Sequence, residues 1–160
     1  MRRMLFILAA VAVTAAITAP AAFADSPHFI KAGATTSGPN LVCTFKEAGL
    51  GTTVSTEAVT CSANATAVYE CVNNGGNHPS AANKTTVSGP VSGGGTFPVR
   101  NGSTSGSITV GPPGPGGFGC PSGQTLVLAS VCYSDVTLTG SAGDTANVPG
   151  TVCYTNPAAP

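Results

Sequence analysis

Six cysteines, Cys43, Cys61, Cys71, Cys120, Cys132 and Cys153, constrain what this chain can fold into more than any other feature. No CxxC is present, and the closest two, Cys61 and Cys71, stand ten positions apart. Structural zinc sites bring their ligands in closely spaced pairs, and neither His28 nor His78 completes such a spacing. An even set of well-separated cysteines reads instead as a disulfide framework, which persists only where thiols are not kept reduced. Six cysteines allow fifteen pairings. The runs 41–47 and 57–72 are strand-like, and a hairpin that joins Cys43 to Cys61 sets Phe45 opposite Val59, a sensible apolar cross-strand pair. Cys71 ends the second run, Cys120 precedes the strongest strand candidate, and Cys132 and Cys153 fall in the last two strands. The favoured set is therefore 43–61, 71–120 and 132–153, each bridge contributing about 3–4 kcal/mol by chain entropy.

The first 24 residues fit an exported chain. Met1-Arg2-Arg3 is basic, residues 4–17 are apolar or small, Pro20 breaks the run, and Ala22-Phe23-Ala24 has the small-x-small form of a cleavage site. A secretory signal peptide over 1–24 and a single secreted domain over 25–160 are expected. The apolar run falls short of the ~20 residues that a membrane span needs, and no later stretch could serve. Its Ala-rich composition has a bacterial character.

Charged residues make up only 8% of the chain, against an ordinary ~25%. After the leader, Lys31, Lys46, Lys84 and Arg100 face Asp25, Asp135, Asp144, Glu47, Glu57 and Glu70, a balance of 4 − 6 = −2. Four scattered cations cannot neutralise a run of phosphates, so nucleic acid is excluded as a partner. Few ionisable groups also leave few candidates for acid, base or metal chemistry, and no cofactor is expected.

Gly (21) and Pro (13) punctuate short β-branched or aromatic runs, and no apolar set recurs at helical spacing. Strands are expected over 29–35, 41–47, 57–72, 84–92, 96–99, 103–110, 124–139 and 147–155. Asn101-Gly102 is the best tight-hairpin signal. The run 57–72 is expected to bend near residues 63–65. In 124–139, Val127, Ala129, Val131 and Tyr133 would line one face and Leu126, Leu128 and Cys132 the other. That implies a strand buried on both sides or one bulged near Asp135. This spacing predicts an all-β, disulfide-stapled antiparallel sandwich of about seven to nine strands with almost no helix.

No Gly-x-Ser-x-Gly elbow supports serine hydrolysis. The register that pairs Cys43 with Cys61 opposes Glu47 and Glu57, and opposed like charges destabilise a ladder. A cation, a shared proton, nearby Lys46 or exposure at a frayed end would relieve them. A glycosidase built on the two would want aromatic platforms, and the chain has no Trp. Binding is expected on two loops. One follows Cys71 and contains Asn73, Asn74, Asn77 and His78. The other, 111–122, contains Pro112, Pro115 and Phe118. A 71–120 bridge would bring both to one end of the sandwich, with His78 as their only titratable group.

Three phrases, Phe45-Lys46-Glu47-Ala48-Gly49-Leu50-Gly51, Cys71-Val72-Asn73-Asn74-Gly75-Gly76-Asn77-His78-Pro79 and Gly123-Gln124-Thr125-Leu126-Val127-Leu128-Ala129-Ser130-Val131, resemble a group of small secreted proteins, mostly actinobacterial. The likeness runs from about residue 30 to 152 and implies an exported protein without implying an activity. Its members lack cysteine at the positions of Cys132 and Cys153, which fits an additional pair here. A fainter resemblance, through Gly76-Asn77-His78-Pro79-Ser80-Ala81-Ala82, is to secreted subtilisin inhibitors, which have a cysteine shortly after that segment; Asn83-Lys84-Thr85 has none. The resulting expectation is a secreted, non-enzymatic domain that binds or coats an extracellular protein or cell-wall component. The alternative is an inhibitor of extracellular proteases that presents a disulfide-anchored loop.

Overall fold

The computed structural model describes residues 26–73 and 83–157; the leader expected over 1–24 lies outside them. The described residues form eight strands: β1 (His28–Ser37), β2 (Asn40–Ala48), β3 (Thr56–Asn73), β4 (Lys84–Pro98), β5 (Ser103–Val110), β6 (Gln124–Gly140), β7 (Thr145–Val148) and β8 (Val152–Thr155). One sheet has the order β1-β2-β5. The other runs β4-β3-β6-β7, with β8 also paired to β6. Every pairing is antiparallel. The sheets face each other as a β-sandwich, and the described residues contain no α-helix.

The core follows from the two-residue period of a strand. Alternate residues of β3, Val59, Cys61, Ala63, Ala65, Ala67 and Tyr69, point inward and are buried. Leu41, Cys43 and Phe45 of β2 meet them from the other sheet. Phe45 stacks edge-on against Phe97, with ring centroids 4.9 Å apart.

The bridges Cys43–Cys61, Cys71–Cys120 and Cys132–Cys153 all form, and no described cysteine is free. The hairpin expected between β2 and β3 does not form, because these strands belong to different sheets. β2 pairs with β1 and β5, and Cys43–Cys61 crosses the core between the layers. The cause lies in the link after β2. Gly49 (φ 79°) and Gly51 (φ 74°) turn the chain, and Leu50 between them is buried at 2% exposure, its N–H donating to the Gly102 carbonyl at 3.0 Å. That anchored link carries the chain across to the second sheet. Cys132–Cys153 does staple directly paired residues of β6 and β8.

Bulges resolve the two apolar faces of β6. Its register against β3 shifts between Ser62 and Asn64, opposite Asp135 (φ 52°), and again between Val68 and Tyr69. Each extra residue flips the alternation that follows it. Leu126 and Leu128 therefore pair with inward Cys71 and Tyr69 and share the core face with Val131, Tyr133, Val136 and Leu138. The expected bulge near Asp135 is this feature, and β3 itself runs unbroken through residues 63–65 in its pairing with β4. The expectation that Leu126 and Leu128 oppose Val131 and Tyr133 is corrected by the second shift, at Ala129.

Two segment boundaries also differ from expectation. Runs 84–92 and 96–99 form one strand, β4, straight through Gly93-Gly94-Gly95. These glycines are there for close approach: a Cβ on Gly93 would sit 3.1 Å from the Thr109 carbonyl oxygen, and one on Gly95 would press on the Phe97 ring. Run 147–155 is split into β7 and β8 around Pro149-Gly150, where Gly150 takes φ 92°. The Asn101-Gly102 turn forms, both residues at positive φ (50° and 70°) and Arg100 and Ser103 exchanging backbone bonds of 2.8 and 3.1 Å, but the hairpin expected there stops at that one bridge. It hands the chain from β4 in one sheet to β5 in the other.

The structure makes two expectations testable. Gly106→Ala would drive a Cβ into the Phe97 ring, so its urea midpoint should fall by the equivalent of about 1–3 kcal/mol. Gly89→Ala, which meets nothing within 4 Å, should leave the midpoint unchanged. Thiol titration of the unfolded, unreduced chain should find no thiol, and a 43–71 or 61–71 peptide in a non-reduced digest would contradict the inter-sheet bridge.

Candidate functional site

The two sheets are unequal in length. Pro39, at the end of the first sheet, accepts a 2.7 Å hydrogen bond from Tyr133 Oη, and Tyr133 pairs with Ala65 near the middle of β3. Beyond that level the inner face of the second sheet, with Tyr69, Cys71, Leu126 and Leu128, has no opposing strand among the described residues. Residues 111–122 cover it. Tyr69 Oη donates to the Pro113 carbonyl at 2.7 Å, Phe118 packs against the core, and Cys120 is joined to Cys71. Burial pushes the Tyr69 and Tyr133 phenols above their ordinary value of 10.0, so both remain protonated donors. Pro112 and Pro115 are half-buried, and the Pro115 carbonyl accepts from Phe118 N at 3.2 Å in a turn completed by Gly116 (φ 62°).

Asn74, Asn77 and His78 lie outside the described residues; Asn73, also expected there, is the last residue of β3. The flanks of 74–82 are nevertheless brought together with the exit of the other loop. Asn73 pairs with Gln124, and Asn83 Nδ2 donates to Gln124 Oε1 at 3.4 Å. Buried Glu70 is bridged to Lys84 at 2.8 Å in the last β3–β4 pair. Both segments thus issue from one end of the second sheet, beside Cys71–Cys120.

Glu47 and Glu57 converge at the opposite end, from facing sheets rather than from a hairpin. They are 0% and 3% exposed. Asp144, on the turn between β6 and β7, joins them. A Cβ built on Gly140 would lie 2.5 Å from Asp144 Oδ1, 3.2 Å from Glu57 Oε1 and 3.3 Å from Glu47 Oε1. Glu57 Oε1 accepts from Ser141 Oγ at 2.7 Å and from Ala142 N at 3.2 Å. The buried oxygens of Glu47 and Asp144 have no donor. Desolvation, followed by the charges of Asp144 and Glu57, raises Glu47 from 4.5 to about 7. Sequence reasoning paired the two glutamates but missed Asp144, which reads as an ordinary solvated turn residue in Ser141-Ala142-Gly143-Asp144. Sealed from solvent, the two glutamates offer no cleft to a sugar substrate.

Elsewhere the described surface has shallow depressions. One of about 340 Å³ lies by the Asp135 bulge and Pro149-Gly150; another of about 230 Å³ lies beside Lys46 and Arg100. Among the described residues no three His, Cys, Asp or Glu side chains are grouped to hold a metal ion.

The Tyr69–Pro113 bond ties the covering loop to the sheet, so Tyr69→Phe should cost about 1 kcal/mol and speed limited proteolysis within residues 114–117. Tyr133→Phe removes the bond to Pro39 instead and should leave loop cleavage unchanged.

No protein-family model, no curated protein and no solved structure matches this chain.

Proposed function

We propose that this chain is an exported, non-enzymatic β-sandwich domain that binds an extracellular protein or a cell-wall component. Its working surface would be the end of the second sheet from which 74–82 and 111–122 issue. The reading rests on one observation: Cys71–Cys120 and the Tyr69–Pro113 bond hold a Gly/Pro-rich loop against the strand that leads into residues 74–82. A loop fixed in advance loses less conformational entropy on binding than a free one. Binding loops gathered at one end of a sandwich are a recurrent arrangement. Three disulfides are compatible with an extracellular setting.

The same anchored loop supports a second reading, inhibition of an extracellular protease, since proline-fixed extended backbone suits a protease cleft.

Immobilised mature protein should capture a saturable partner from culture supernatant or solubilised cell wall. His78→Ala, or deletion of 112–116, should weaken that capture tenfold or more while the domain stays folded. A binding dependence on His78 would also appear as a change between pH 5 and 8. Stoichiometric recovery of a protease would select the inhibitor reading. Full capture by both variants would remove the loops from the function altogether.

A further inference from the structure

The acidic end has a charge problem that the fold itself must solve. Three carboxyl groups come together from three parts of the chain: Glu47 on β2, Glu57 on β3 and Asp144 on the β6–β7 turn. Among the described residues no cation offsets them. On β2, Lys46 alternates to the exposed face. On β1, the residue paired with Glu47 is Phe29, and Lys31 pairs with Lys46 on the outer side, while His28 pairs with Ala48 and is exposed. On β5 the partner of Glu47 is Thr104, whose hydroxyl is committed to the Pro98 carbonyl at 3.0 Å. Arg100 lies with Lys46 along an outer depression. From β6 come Gly140 and Leu138, neither of them ionisable.

The three groups do not make a metal-binding set: among the described residues no three His, Cys, Asp or Glu side chains are grouped to hold an ion. Two of Glu57's possible donors are already supplied by Ser141 and Ala142, whereas Glu47 and Asp144 have only each other. A carboxyl group and a carboxylate in contact need one shared proton, and that proton also satisfies a buried oxygen on each side.

From this geometry we infer that Glu47 and Asp144 form a proton-operated latch. With one proton shared between them, it clasps β2 of the first sheet to the β6–β7 turn of the second. When the proton leaves, the three negative charges drive this end apart.

The direction of the pH effect follows from linkage. Unfolded Glu47 holds its proton only below about 4.5, and the folded one holds it to about 7. Between these values the folded state binds more protons than the unfolded state, so stability falls as pH rises. The latch's contribution to stability is complete below 4.5 and lost above 7. The other end is closed by Cys71–Cys120 instead.

Hydrogen exchange read by mass spectrometry, corrected for intrinsic rates, tests this on the whole mature domain in chelator. Amides of residues 140–144 and of Leu50 should lose at least tenfold in protection between pH 5.5 and 8, while those of residues 69–72 should not. Glu47→Gln keeps the shape and a donor without the charge, and should hold its protection and melting temperature level across that range. Carbon-13 titration of the Glu47 carboxyl in the unmodified protein needs no variant and should give a midpoint near 7. A midpoint near 4.5, or equal pH slopes in the unmodified protein and Glu47→Gln, would overturn the latch. So would millimolar Ca²⁺ raising the melting temperature at pH 8 in the unmodified protein but not in Glu47→Gln, which would mean that a cation fills the role assigned to the proton.

Discussion

The fold depends on the core face of β3. This 18-residue strand lies between β4 and β6 in a sheet that outreaches the nine-residue β2 opposite it. An apolar face of that length must be covered along all of it, since each exposed Å² of apolar surface costs roughly 25 cal/mol. The first sheet covers the half near Glu57. The 111–122 loop covers the rest with Phe118 and a carbonyl for Tyr69. The loop's position is thus a packing consequence before it is a functional one. Cys71–Cys120 secures this cover to β3, and Cys43–Cys61 joins the two sheets.

Most of this architecture was legible in the chain. Strand alternation, the missing helical period and the cysteine pairing all survive in the structure. The pairing held even though the hairpin invoked for Cys43–Cys61 did not form, because a face-to-face bridge and a cross-strand bridge require the same inward-pointing positions. Burial of Leu50 decided between them, and a single leucine between two glycines carries no local mark of that choice. Gly93-Gly94-Gly95 misled for a related reason. Triple glycine is ordinary turn chemistry, and only the ring of Phe97 and the approach of β5 show that these positions need to be small.

The candidate sites were legible in part. Glu47 and Glu57 were brought together by register reasoning that placed them in one sheet, whereas they meet across two. Asp144 was invisible because a carboxylate in a Ser-Ala-Gly-Asp turn is almost always solvated, and its burial depends on β2 from the far sheet. Phe118 and Pro115 were expected as binding positions; in the structure Phe118 packs against the core and the Pro115 carbonyl accepts from Phe118 N, and both are half-buried.

Pro90 gives β4 a property of its own. β4 pairs on one side only, with β3, and its first half has no described strand beyond it. Such a border invites another chain to add a strand. A proline fits within a sheet only where its missing N–H would have pointed away from the partner, so at Pro90 the vacancy falls on the free border. An incoming strand loses a bond there. The neighbouring Gly89 and Gly93 contribute no side chains with which to grip it. The proline thus blunts a long, charge-poor border against strand addition at that point.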